Sequence, residues 1–90
     1  MKKVFKYRLE ITGFQKIELP LNAEILTVLF QHDQLCLWAL VDSDSATEER
    51  EIKISGTGHP IVNTNLKFIA SVQELDGNLV WHVFEVIDKK

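Results

Sequence analysis

The chain has 90 residues, 46% of them hydrophobic, and a formal net charge of −3. This length makes a single domain over 1–90 with a thin core, and the composition excludes a disordered chain. The absence of a basic surplus argues against nucleic acid as partner, and no run approaches the roughly 20 apolar residues of a membrane helix.

The first element alternates strictly. Phe5, Tyr7, Leu9 and Ile11 are apolar, with Lys6, Arg8 and Glu10 between them. This period of two predicts a half-buried strand, closed by a turn at Thr12-Gly13. Phe14, Ile17 and Leu19 form a second, less regular strand that stops at Pro20, since proline cannot donate to a ladder. Residues 23–31 are nearly all apolar and read as a buried strand or a short helix; the β-branched Ile25, Thr27 and Val28 favour strand. His32-Asp33-Gln34 is a polar break, and 35–42 is apolar again, which predicts a hairpin. Residues 43–49 read as a loop and 50–55 as an alternating strand through Ile52 and Ile54. A connection with two glycines and a proline spans 56–65. Residues 66–75 and 79–87 close the chain as strands joined at Asp76-Gly77-Asn78, a strong hairpin signal. The expected fold is all-β: about seven mostly antiparallel strands in a sandwich or small barrel.

Three segments hold both tryptophans, two of the three histidines and two of the four glycines. They are Leu35-Cys36-Leu37-Trp38-Ala39, Gly56-Thr57-Gly58-His59-Pro60 and Trp81-His82-Val83-Phe84-Glu85. The glycines permit close approach of a ligand to the backbone, and successive N–H groups in such a turn form an anion-binding concavity. The spacing is not that of a phosphate loop. Trp38 and Trp81 are candidates to stack on a base, with His59 and His82 to hydrogen-bond it; both tryptophans are equally readable as core anchors. His59 and His82 with Cys36, Asp33 or Glu85 lack the close ligand spacing of a metal site, so no metal or other cofactor is expected. Alternation puts His82 and Glu85 on opposite faces, which weakens an acid–base dyad. No catalytic residue is assigned, and the chain reads as a non-enzyme.

Charge is uneven. Lys2, Lys3, Lys6 and Arg8 crowd the first strand, whereas Asp42, Asp44, Glu48, Glu49 and Glu51 form an acidic stretch that is a candidate protein contact. The lone Cys36 excludes an internal disulfide and fits a reducing cytoplasm. The apolar faces of the strand around Trp38 and of the last strand imply burial on both sides, hence a homo-oligomer.

The three segments, with Val41-Asp42, Ile61, Lys3 to Tyr7 and Ile17-Glu18-Leu19-Pro20, resemble a family of small proteins of about this length encoded by bacteriophages and prophages. The likeness spans essentially the whole chain. It implies origin and a host-cell cytoplasmic location, with no activity to carry over. Small acidic proteins of such origin are often counter-defence or host-takeover factors that act by binding. The expectation is therefore a binding protein that sequesters a nucleotide-like signal or blocks a host protein. A virion structural or assembly protein is the alternative.

Overall fold

The computed structural model describes residues 1–62, 65–74 and 76–87. Seven strands follow in chain order: β1 (Lys2–Arg8), β2 (Phe14–Pro20), β3 (Glu24–Gln31), β4 (Gln34–Asp42), β5 (Thr47–Gly56), β6 (Leu66–Gln73) and β7 (Val80–Val86). They form two separate sheets, ordered β1-β4-β3 and β2-β5-β7-β6. Every pairing is antiparallel. The fold is a two-layer sandwich; the sheets do not close into a barrel. Among the described residues there is no helix, and so none long and apolar enough to cross a membrane.

Period-two patterning explains the layers. On β4, Leu35, Leu37, Ala39 and Val41 point inward and are almost fully buried. They meet Ile52 and Ile54 of β5, Val83 of β7 and Val72 of β6, with Leu9, Leu19, Ala23 and Val28 completing the core. Fully burying a leucine or isoleucine is worth about 1.5–3 kcal/mol, so these inward stripes account for most of the drive to fold. The edge strands β3 and β6 lie against each other. Each carries a bulge there, at Ile25/Thr27 and at Phe68/Ala70. A bulge twists an edge and interrupts its template for pairing with another chain.

The 23–31 run is strand over Glu24–Gln31, not helix. The hairpin at 32–34 is also present, tighter than expected: only His32 (φ 51°) and Asp33 (φ 65°) turn, and Gln34 already pairs with Gln31. Two successive left-handed residues match the twist of the flanking strands. Gly77 (φ 77°) occupies the turn between β6 and β7. Several boundaries differ from the sequence reading. The first strand stops at Arg8 because the Gln15 side chain takes both backbone groups of Glu10, at 3.0 and 2.6 Å, and starts the crossing to the other sheet. Leu9 drops into the core while Ile11 is exposed. The loop after β4 ends early: Thr47, Glu48 and Glu49 pair with Pro20, Leu19 and Glu18, so they belong to β5. The sixth strand ends at Gln73, and Leu75 lies outside the described residues.

Candidate functional site

Gly56 ends β5 directly opposite Trp81 of β7. Trp81 faces inward with Val83, and its indole N–H donates to Glu74 Oε2 at 2.9 Å, which fixes the ring. The 56–60 turn then folds back. His59 N–H donates to Gly56 O at 3.1 Å, and Gly58 adopts φ 86°. The His59 ring comes to lie on Gly56. A Cβ at position 56 would stand 3.0 Å from His59 Cε1 and 3.3 Å from Trp81 Cζ3, so any larger residue would push the two rings aside by a few tenths of an ångström. An aromatic ring laid over a cross-strand glycine is also a known way to stabilise a bare backbone. Gly56, Thr57, His59 and Trp81 line an open cleft of about 250 Å³ with Asn78, Leu79 and Val80. Gly56, His59 and Trp81 also border a second cleft of about 300 Å³ that reaches Thr12, Gly13 and Ser55.

His82 follows Trp81 and therefore points to the opposite, outer face. Its Nδ1 lies 2.8 Å from Ser71 Oγ and its Nε2 2.8 Å from Thr57 Oγ1. In the neutral ring one nitrogen donates and the other accepts, so both hydroxyls are used. Thr57 thus ties His82 to the rim of the cleft. Glu85 faces inward and does not pair with His82.

Trp38 does not join this group. It sits on β4, in the other sheet, opposite Lys6 and Thr27 and facing away from the core. A tryptophan on the outer face of one sheet cannot wall a cleft beside the inner face of the other. Of the two tryptophans read as candidates to stack on a base, Trp81 lines the cleft and Trp38 stands apart from it. Gly58 shapes the turn without lining the cleft.

The acidic stretch does not form one contact patch either. Asp42 and Asp44 each hold the Met1 ammonium at 2.9 Å. These hydrogen bonds raise the amine above its ordinary pKa and lower that of Asp42, which also accepts the Asp44 N–H. Glu48 turns to the inner side, accepting the Asn22 N–H at 3.1 Å and standing 3.7 Å from Arg50. Only Glu49 and Glu51 share the outer face, by their register opposite Glu18 and Lys16.

The sequence reading missed the main buried charge pair. Arg50 Nε and Nη2 both donate to the Glu85 carboxylate, while Nη1 donates to Ala23 O at 3.0 Å. The two side chains are only 13% and 10% exposed. Glu85 holds the Arg50 guanidinium above its already high ordinary pKa, outweighing the opposing effect of burial. A signal was present: Arg50 continues the inward stripe of Ile52 and Ile54, and Glu85 that of Val83. Opposite charges on inward stripes of neighbouring strands call for each other. Among the described residues no group of three or more His, Cys, Asp or Glu is placed to hold a metal ion.

A family model described as a domain of unknown function (DUF7352) matches residues 1–90, and the chain belongs to that family. No curated protein and no solved structure matches it.

Proposed function

We propose that this protein is a non-enzymatic binding protein of phage or prophage origin that sequesters a small nucleotide-like ligand. The observation that supports this reading is the convergence of Gly56, Thr57, His59 and Trp81, from two distant segments, on one open cleft. His59 and Trp81 present flat rings to a base, an interaction worth about 1–3 kcal/mol. The left-handed Gly58 closes the 56–59 turn, whose His59 N–H to Gly56 O bond holds the His59 ring at the cleft. His82, anchored by Thr57 and Ser71, stiffens the rim.

Titration calorimetry with a panel of cyclic and linear nucleotides tests the proposal. Binding heat is expected from at least one, and its loss on His59→Ala. No heat from any of them, with folded protein, removes it. A nucleotide that is consumed, with turnover lost on His82→Ala, replaces binding by hydrolysis. The alternative, a virion structural or assembly protein, draws support from the exposed phenylalanines and aliphatics on the two outer sheet faces. Its mark is presence in purified particles.

A further inference from the structure

Each sheet has an outer face that the core does not use. On the three-stranded sheet, β4 presents Trp38 and Leu40, flanked by Val4 of β1 and Leu29 of β3. Val4 and Leu29 are 56% and 49% exposed. Lys6 and Arg8 stand beside them. Their head groups bond to the neutral amides of Gln31 and Gln34, at 2.8 and 3.0 Å. Neither has a carboxylate partner among the described residues.

On the four-stranded sheet, Phe14, Lys53, Phe84 and Phe68 are successive register partners, so they form one row across all four strands. Phe14 and Phe68 are 45% and 57% exposed. Lys53 lies 4.6 Å over the Phe14 ring, and Phe68 meets Phe84 edge-on at 5.8 Å. On the same face Glu18 and Glu49 stand directly opposite each other. Like charges in that position destabilise a sheet. Neither has a cationic partner among the described residues; Glu18 accepts only the Thr47 hydroxyl, at 3.3 Å. By register, the first face carries Lys2, Lys6 and Arg8 against Asp42 and Glu24, and the second carries Glu18, Glu49 and Glu51 against Lys16 and Lys53. The first is net positive and the second net negative, each beside exposed apolar side chains.

We infer that the protein binds a second copy of itself face to back. The outer face of the three-stranded sheet in one copy covers the outer face of the four-stranded sheet in the next, with Lys6 and Arg8 meeting Glu18 and Glu49. Residues two apart on a strand are about 6.7 Å apart and directly paired residues about 5 Å, a difference that long, flexible side chains span. The surfaces lie on opposite sides of the sandwich, so the contact is heterologous. Each added copy leaves one face of each kind open, which builds a ring or a filament. The paired rows of the three-stranded face cover roughly 14 by 24 Å in projection, small beside a standard interface. Each contact is therefore weak, and assembly depends on concentration and on salt. The cleft is not involved, so this contact stands or falls apart from the ligand reading.

Sedimentation velocity tests it. The wild-type mass should rise with concentration past two chains of 10.4 kDa each, and fall back at high salt. Glu18→Lys/Glu49→Lys and Lys6→Glu/Arg8→Glu should each sediment as a folded single chain. Mixing them should restore association, because each reversed face then meets its complement. That rescue also shows that both variants are folded. A wild type that stays single at every concentration overturns the inference. So does a mass that stops at two chains, association indifferent to either reversal, or a mixture of single chains.

Discussion

Removing one partner of the Arg50–Glu85 pair should be the most damaging polar substitution in this protein. Glu85→Ala leaves a guanidinium at 13% exposure with only Ala23 O at 3.0 Å and Glu48 at 3.7 Å. Breaking a buried pair from one side costs about 3–5 kcal/mol. Glu48 offers partial compensation, so a cost near the lower end, about 3 kcal/mol, is expected. A 90-residue domain holds only about 5–13 kcal/mol in total, so this is a large share. Arg50→Met, which strands Glu85 instead, should cost a similar amount. The double variant Arg50→Met/Glu85→Leu should return close to wild type, because packed apolar side chains replace a pair that is costly to desolvate. Urea unfolding followed by tryptophan fluorescence gives all three values from the midpoints and slopes. If either single change costs less than about 1 kcal/mol, or the double costs the sum of the singles, the pair is not the coupled buried unit described above.

Gly56→Ala forces the His59 and Trp81 rings to move by a few tenths of an ångström, since its Cβ would sit 3.0 and 3.3 Å from them. The crowding, at the low end of about 1–3 kcal/mol, should outweigh the 0.4–1 kcal/mol gained from a stiffer unfolded chain; a variant more stable than wild type in urea would contradict this. His32→Asn with Asp33→Gly places the preferred residues in the two left-handed turn positions. It should stabilise the fold by about 1 kcal/mol, read as a higher melting temperature; a fall would mean the present side chains contribute more than their backbone strain costs. Tyr7 is the single tyrosine, and burial raises its pKa above the ordinary 10.0. Below that pH its contribution is fully present; above it the unfolded phenol ionises first, and stability is lost as pH rises through the folded value. Phenolate absorbance should therefore appear at higher pH in folded than in urea-unfolded protein, and coincident titrations would refute the burial.

Alternation made the strands legible, because a residue's turn inward or outward repeats every two positions. Phe5 to Leu9, Ile52 to Ile54 and the Asp76-Gly77-Asn78 turn all carry that local signal. It says nothing about which sheet a strand joins. The short connections 9–13 and 21–23 both cross between sheets, while His32-Asp33 stays within one, and nothing in their composition announces the difference. That is why Trp38, one sheet away, is not separable by sequence from Gly56 and Trp81, which face each other in register. The acidic stretch misled for a related reason. Residues 47–49 look like a loop by composition, yet pairing with β2 makes them strand and sends the carboxylates of 48 and 49 to opposite sides.

β7 lies between β5 and β6, although it follows both in the chain. While a ribosome is still making residues 80–86, the four-stranded sheet has a gap at its centre, and neither β5 nor β6 has the neighbour it needs. The inner side chains of β4 then lack the Val83 surface they close against. The nascent polypeptide must therefore wait, open and sticky, until translation reaches that segment, and it gains its shape in one late step. The apolar surface on either side of that gap is covered only when β7 inserts between its two neighbours.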